Sequence, residues 1–118
     1  EEANKQIKRL SFNESLEMLT KENTIFIDVR EESEVINLGM IKNAIHIPRG
    51  LIEFKLSPHS SNNPNGIDHN TNLLIYCAGG YRSALAAKTL SDLGFTNVYN
   101  IGGYQEWLDN GGDIQASL

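Results

Sequence analysis

Cysteine is almost absent from this sequence, because Cys77 is the only one among its 118 residues. A single thiol excludes an intrachain disulfide framework and a cysteine-rich zinc site. Three interpretations are left: an inert buried residue, a reactive nucleophile, or one half of an intermolecular disulfide. The residues that surround Cys77 have to decide between them.

Long apolar runs and an excess of positive charge are also lacking. No stretch approaches the roughly 20 apolar residues that a membrane-spanning helix needs, and no signal-peptide pattern is present. The net charge of −5 disfavours binding to nucleic acid or to an anionic membrane. The cationic side chains of Lys5, Lys8 and Arg9 are therefore interpreted as solvated surface, and we expect a soluble chain without nucleic-acid or membrane partners.

The composition is that of an ordinary globular protein, with 40% hydrophobic and 21% charged residues. A chain of this length can bury one core, and no repeat, linker or low-complexity segment indicates a second unit. We expect one domain over residues 1–118, with the cytoplasm as the favoured compartment. Because Glu1 and not methionine opens the sequence, an exported form whose leader was removed stays an alternative.

Short, nearly continuous apolar runs alternate with amphipathic stretches along the chain. Such runs are typical of parallel strands that are covered on both faces. The alternation predicts an α/β fold, with a mostly parallel sheet of about four to five strands and helices on both faces. The predicted strands span residues 24–29, 45–47, 73–76 and 98–101.

Five helices are predicted between and after these strands. The first begins at Ser11, with Glu14 in capping-box spacing and an apolar side that includes Leu16 and Leu19, and ends near Asn23. The other four are predicted over residues 31–39, 51–56, 83–93 and 104–108.

A polar segment, residues 57–70, separates the third helix from the third strand. Ile67 is its only large apolar side chain, which predicts a mobile surface loop. Its histidines, His59 and His69, have no cysteine or carboxylate cluster beside them, so no metal site is expected. No organic cofactor is indicated either.

The most informative segment is the junction at which the third strand leads through Cys77 into a glycine-rich turn and a helix. Functional groups collect at the carboxyl ends of parallel strands, where a helix N-terminus presents free N–H groups. Gly79 and Gly80 can adopt positive φ, so that several N–H groups converge on one point. Together with the charge of Arg82 they favour a thiolate or persulfide anion on Cys77. The alternative is an inert cysteine at a strand end.

Four segments, in this order along the chain, resemble those of rhodanese-like domains. They are residues 27–30 (IDVR), 44–48 (AIHIP), 77–83 (CAGGYRS) and 102–107 (GGYQEW). The resemblance covers essentially the whole chain and implies the rhodanese-like fold.

The resemblance also implies a chemistry. Cys77 would take a sulfane sulfur from thiosulfate or a persulfide donor and pass it to a thiol or cyanide acceptor. Substrate would be bound by the loop, with two weaker candidates at its mouth: Ala78, Gly79, Gly80, Tyr81, Arg82 and Ser83, then Arg30 and Arg49. Arg30 could instead pair with a carboxylate and Arg49 point to water. Asp28 is expected to be a structural carboxylate near the site.

Two classes of function stay open on the sequence. One is a thiosulfate or persulfide sulfurtransferase, and the other is a sulfur-carrier or interaction module that holds a persulfide for a protein relay partner. Phosphatase or arsenate reductase activity is disfavoured, because the loop from Cys77 to Arg82 has six residues whereas those related enzymes have one more. The chain departs from the family pattern in two places. Residues 38–43 lack a histidine, which changes the rim next to the loop, and the loop lacks a lysine, which favours persulfide handling over high thiosulfate activity.

Overall fold

The computed structural model describes residues 7–21, 23–56 and 67–116. The strands in these ranges are β1 (Lys8–Arg9), β2 (Thr24–Asp28), β3 (Met40–Ile41), β4 (Ile45–His46), β5 (Asn72–Cys77), β6 (Val98–Gly103) and β7 (Ile114–Gln115). The helices are α1 (Phe12–Met18), α2 (Glu32–Leu38), α3 (Ile52–Leu56), α4 (Tyr81–Asp92) and α5 (Tyr104–Asp109), with a 3-10 turn (Arg49–Leu51) before α3. The predictions for Lys5, His59 and residues 57–66 concern positions outside the described ranges. None of the described helices has both the length and the apolar character that crossing a membrane requires.

The main sheet has five strands in the order β1-β6-β5-β2-β4, and each neighbouring pair is parallel. Two shorter strands, β3 and β7, form a separate antiparallel pair. The carboxyl ends of the parallel strands meet at one edge of the sheet, which is where an open α/β sheet places its functional groups. The predicted α/β fold with a mostly parallel sheet is confirmed.

Alternate side chains of β2 and β5 belong to two hydrophobic clusters, one on each face of the sheet. One cluster contains Ile27, Leu73 and Ile75 and is covered by residues of α3 and α4, such as Leu56 and Leu90. The other contains Phe26, Leu74 and Tyr76 and is covered by residues of α1 and α5, such as Phe12 and Trp107. Both faces of the sheet are therefore covered by helices, which explains why the strands are continuously apolar.

Helix α1 is shorter than predicted. The capping box is present, since Ser11 Oγ accepts from Glu14 N at 3.1 Å and Glu14 Oε1 accepts from Ser11 N at 2.8 Å. The helix nevertheless ends at Met18, because the chain then tightens into turns: Thr20 N donates to the carbonyl oxygen of Glu17 at 3.1 Å and Lys21 N to that of Met18 at 3.0 Å, each three residues back. The predicted apolar side is wrong in part, because Leu16 and Leu19 are exposed.

Three elements extend further at the carboxyl edge than the sequence patterns predict, whereas β2 and β4 each end one residue earlier than predicted. β5 includes Cys77, β6 reaches Gly103, and α4 begins at Tyr81, two residues before its predicted start. The sequence pattern does not reveal β1, whose side chains are exposed and which joins β6 through its backbone. Cys77 therefore belongs to the central strand itself, and only a short turn separates it from α4.

Candidate active site

The turn between β5 and α4 aims backbone N–H groups at the sulfur of Cys77. It consists of Ala78, Gly79 and Gly80, and Gly80 adopts a left-handed conformation with φ of 100° that side-chain-bearing residues rarely tolerate. As a result, Gly80 N lies 2.9 Å from Cys77 Sγ, and Ser83 N, in the first turn of α4, lies 3.4 Å from it. The positive end of α4 faces the same sulfur.

These contacts favour a negative charge on Cys77, although the residue is only 1% exposed. Burial, the largest single effect, raises the pKa of the Cys77 thiol. Hydrogen bonds from the Ser83 side chain and from the N–H groups of Ser83, Gly80 and Gly79 lower it, and together they outweigh burial. The pKa of Cys77 therefore lies below that of an ordinary cysteine, and the same donors can stabilise a persulfide anion.

Arg82 lies next to this cradle, but its guanidinium is held by a carboxylate from α2. Arg82 Nη1 and Nη2 donate to the two carboxylate oxygens of Glu34 at 2.7 and 2.9 Å. The pairing with Glu34, more than the charge of Cys77, raises the pKa of Arg82. The ion pair thus connects the loop to α2 and offsets much of the positive charge that the sequence assigns to the loop.

The pair should make a pH-dependent contribution to stability. Arg82 holds the pKa of Glu34 at about 2, below the roughly 4.3 of an unfolded glutamate. The stabilising contribution is therefore complete above the pKa that Glu34 has in the unfolded chain. It is lost as the pH falls towards the pKa that Glu34 has in the folded protein. Because both side chains are partly exposed, we expect Glu34→Gln to cost only about 1 kcal/mol at pH 7.

Urea denaturation of wild type and Glu34→Gln at pH 7 and pH 3 measures this contribution. The difference in unfolding free energy should be substantially smaller at the lower pH. A difference of equal size at both values would show that the ion pair does not stabilise the fold.

Arg30 and Asp28 form a buried pair at the end of β2. Arg30 Nη2 donates to Asp28 Oδ2 at 2.6 Å and to the carbonyl oxygen of Gly39 at 2.5 Å, and its guanidinium lies 4.1 Å from the Tyr104 ring centroid. Arg30 is 1% exposed. Contact between Arg30 and a substrate does not fit this burial, because the carboxylate and the ring enclose the charge. Asp28 has the geometry of a structural carboxylate.

Two other candidate residues have exposed side chains. Tyr81, at the start of α4, is 73% exposed. Arg49 lies in the 3-10 turn, where its backbone N–H binds the carbonyl oxygen of Val29 at 3.2 Å and its side chain faces solvent. Both stay predictions as substrate contacts.

The family model of the rhodanese-like domain matches residues 11–110. The chain belongs to the rhodanese-like domain family. This rhodanese-like chain is 36% identical over 93 residues to a Schizosaccharomyces pombe protein that is provisionally named a mitochondrial thiosulfate sulfurtransferase, with 74% of this chain and 65% of that protein covered. It is 33% identical over 103 residues to a Bacillus subtilis protein provisionally named a sulfurtransferase, YtwF, with coverage of 87% and 89%.

A third relative carries a different name. The tRNA uridine(34) hydroxylase of Rickettsia prowazekii is 33% identical over 95 residues, which are 80% of this rhodanese-like chain. The chain spans only 37% of that hydroxylase and 65% of the yeast relative. The relatives therefore share the domain, while two of them are considerably longer than the match.

Solved structures show the same fold. A Rhodopseudomonas palustris protein of unknown function, described as a possible tyrosine phosphatase, superposes with a TM-score of 0.86 at 34% identity and covers 97% of this chain and 89% of its own. A rhodanese-like domain protein from Staphylococcus aureus has a TM-score of 0.72 at 29% identity, with coverage of 95% and 100%.

Three residues around the rhodanese-like loop are missed by sequence reasoning. Arg9 and Asn100 line a cavity of about 400 Å³ beside Gly79, Gly80 and Tyr81. Arg9 is exposed, as expected for a surface cation, but its Nη2 also binds Glu106 Oε1 at 2.5 Å. A wider cavity of about 630 Å³, between α2, β4 and β7, includes no loop residue. Glu34 is the third residue that sequence reasoning misses, because the sequence marks it only as a residue near the start of a helix.

Gly103, at the end of β6, packs closely against the backbone of the loop at Ala78 and Gly79. A Cβ at this position would overlap the carbonyl oxygen of Ala78 and would lie 3.3 Å from Gly79 Cα. We expect Gly103→Ala to displace the loop backbone and disperse the N–H groups, lowering kcat/KM for sulfur transfer by about 100-fold.

The matched control is Gly50→Ala, where an added Cβ has no heavy atom within 4 Å. Its kcat/KM should stay within about twofold of wild type. Equal kcat/KM values for the two variants would contradict the role given to Gly103.

Proposed function

We propose that this chain is a sulfurtransferase that carries a sulfane sulfur on Cys77 as a persulfide. Thiosulfate or a persulfide is the donor, and a thiol or cyanide is the acceptor. The observation that supports the proposal is the convergence of the Gly80 and Ser83 N–H groups on Cys77 Sγ, at 2.9 and 3.4 Å. A thiolate and a persulfide are both anions at this place, so one cradle serves both states of the reaction.

The proposed reaction has two displacement steps. The Cys77 thiolate attacks the outer sulfur of thiosulfate, the sulfur–sulfur bond of the donor breaks, and its electron pair leaves with sulfite. Cys77 is left as a persulfide anion, whose outer sulfur is then attacked by cyanide. Thiocyanate departs and the thiolate returns, so the cycle needs no external oxidant or reductant. With a thiol acceptor, the product is a new persulfide.

The loop supports sulfur chemistry better than phosphoester chemistry, which the description of the Rhodopseudomonas palustris relative raises. Both guanidinium Nη atoms of Arg82 are bound to Glu34, so they are not directed at a phosphate in the loop. The turn between Cys77 and Arg82 also contains no carboxylic acid that could protonate a leaving alkoxide.

A sulfur-relay module is the second candidate, and the exposure of Tyr81 favours it. An aromatic side chain that is 73% exposed on the active-site loop is a suitable contact for a protein partner. In this form the domain would hold the persulfide for a partner protein and turn over small donors slowly. The chain spans only 37% of the rickettsial tRNA uridine(34) hydroxylase, so we do not propose tRNA as a substrate of this domain.

Steady-state cyanolysis separates these candidates. Thiocyanate release would be followed with thiosulfate and, separately, with glutathione persulfide as donor, and p-nitrophenyl phosphate would be offered in a parallel assay. We expect turnover with at least one sulfur donor and no phosphate release. Formation of a sulfur adduct without turnover would favour the relay module. Phosphate hydrolysis faster than sulfur transfer would overturn the proposal.

A further inference from the structure

Asn100 lies beneath the active-site loop at an irregularity of the sheet. The register between β5 and β6 shifts there, since Ile75 pairs with Asn100 whereas Tyr76 pairs with Gly102. Asn100 is 3% exposed. A buried amide needs hydrogen-bond partners, and those of Asn100 include the Ser83 hydroxyl, the carbonyl oxygen of Gly80 and the N–H of Gly102.

The contacts determine how the amide is oriented. Gly102 N lies 2.9 Å from Asn100 Oδ1, and a backbone N–H can only donate. The oxygen of the amide therefore faces Gly102. The same oxygen lies 2.7 Å from Ser83 Oγ, so the Ser83 hydroxyl must be the donor in this contact.

Ser83 has only one hydroxyl hydrogen for several acceptors. Its Oγ lies 2.7 Å from Asn100 Oδ1, 3.1 Å from the carbonyl oxygen of Gly80 and 3.5 Å from Cys77 Sγ. The shortest contact takes the hydrogen, which leaves an Oγ lone pair to accept from the Cys77 thiol. When the sulfur is an anion, stabilisation by this hydroxyl requires the hydrogen to turn from Asn100 to the sulfur.

We propose that Asn100 is a positioning residue for the sulfur chemistry: it holds the Ser83 hydroxyl away from the neutral thiol and releases it to the thiolate or persulfide anion. This role rests on the proposed sulfur-transfer function. Asn100 competes with the sulfur for one hydrogen and so limits how fully the anion is stabilised before a donor arrives.

Nearby charges do not account for such an effect. The charged groups on the elements around Cys77 include three ion pairs, Arg82 with Glu34, Arg30 with Asp28 and Arg9 with Glu106. Glu31, before α2, and Arg49, in the 3-10 turn, are exposed charges on the same elements. Replacement of the neutral Asn100 leaves every one of these charges in place. A change in the titration of Cys77 in an Asn100 variant therefore does not report a lost or added charge. Asn100 Nδ2 also lies 3.4 Å from the carbonyl oxygen of Gly80, and a Ser83→Ala background separates the effect of this contact from that of the hydroxyl.

The test is a double-mutant cycle of Asn100→Leu and Ser83→Ala, read by the pH dependence of Cys77 alkylation with iodoacetamide. Leucine keeps the size of asparagine but accepts no hydrogen bond. We expect Asn100→Leu to lower the alkylation midpoint by about 0.5–1 pH unit. Ser83→Ala should raise it, because the anion loses a donor. In the Ser83→Ala background, Asn100→Leu should have no effect on the midpoint.

Two outcomes would overturn the role of Asn100: an unchanged midpoint in Asn100→Leu, or an equal shift with and without Ser83. Should the leucine variant fail to fold by circular dichroism, Asn100→Val, whose β-branched side chain suits a strand and accepts no hydrogen bond, carries the same expectations. The alkylation uses no sulfur donor. Loss of the coupling therefore contradicts the role of Asn100 alone, whereas failure of wild type to form a persulfide contradicts the proposed function.

Discussion

Replacement of Cys77 by alanine is expected to lower the kcat of cyanolysis by at least about 10³-fold. The reason is that the loop contains no other nucleophile: the residues from Ala78 to Arg82 include no thiol, amine or carboxylate. Backbone donors alone can bind the anionic donor but cannot accept its sulfur. The measurement is thiocyanate formation at saturating donor and cyanide, with donor-only and enzyme-free reactions as background.

The companion variant is Cys77→Ser, which keeps the shape of the side chain and replaces sulfur by a poor acceptor of sulfane sulfur. Both variants should retain the wild-type circular dichroism spectrum, because the packing change in the cluster around Cys77 is small. Activity of either variant within about tenfold of wild type would place the sulfur carrier elsewhere.

Removal of the carboxylate of Asp28 is expected to have the largest effect on stability. Asp28→Ala should lower the unfolding free energy by about 3–5 kcal/mol, because Arg30 would remain buried as an unpaired charge. Arg30 has little capacity to compensate, since its Nη1 already finds no hydrogen-bond partner among the described residues. Urea denaturation at neutral pH measures the loss.

An exposed ion pair provides the matched control. Lys88 and Asp92 are one helical turn apart in α4, with Nζ and Oδ2 separated by 3.3 Å and side chains 36% and 66% exposed. Asp92→Ala should change the unfolding free energy by less than about 0.5 kcal/mol. If the two alanine variants lose equal stability, burial does not set the contribution of the Asp28–Arg30 pair.

The parts of the fold that could be predicted are those whose side chains carry a periodic pattern. β2 and β5 are covered on both faces, so their uninterrupted apolar sequence predicts buried parallel strands. β1, β3 and β7 have two residues each, as β4 has, but unlike β4 they lie outside the apolar runs from which strands are predicted. Their pairing depends on backbone hydrogen bonds to segments distant in the chain, such as β6 for β1.

The position of the candidate site could be predicted because its backbone is encoded locally. Gly80 permits the left-handed turn, and the turn is what brings its N–H group to Cys77. The partner of Arg82 could not be predicted, since Glu34 is 48 residues away in sequence. Asn100 is a similar case, because its role depends on a sheet irregularity that places it under the loop.

Arg30 shows why a residue type alone does not predict substrate contact. A cation next to a strand end is a reasonable candidate for binding an anionic donor, and the sequence also allows pairing with a local carboxylate. The second alternative holds in the structure, because the Arg30 guanidinium binds the carboxylate of Asp28 and lies against the Tyr104 ring. Arg49, whose side chain is exposed near the same edge, is the better candidate for tests with anionic donors.

Intact-protein mass spectrometry tests the central claim most directly. Wild type and Cys77→Ala would be incubated with thiosulfate or glutathione persulfide, freed of donor, and measured before and after addition of cyanide. We predict that wild type gains the mass of one sulfur atom and loses it to cyanide, while the alanine variant gains none. Absence of a sulfur adduct on wild type with both donors, or an equal adduct on the variant, would contradict a persulfide on Cys77.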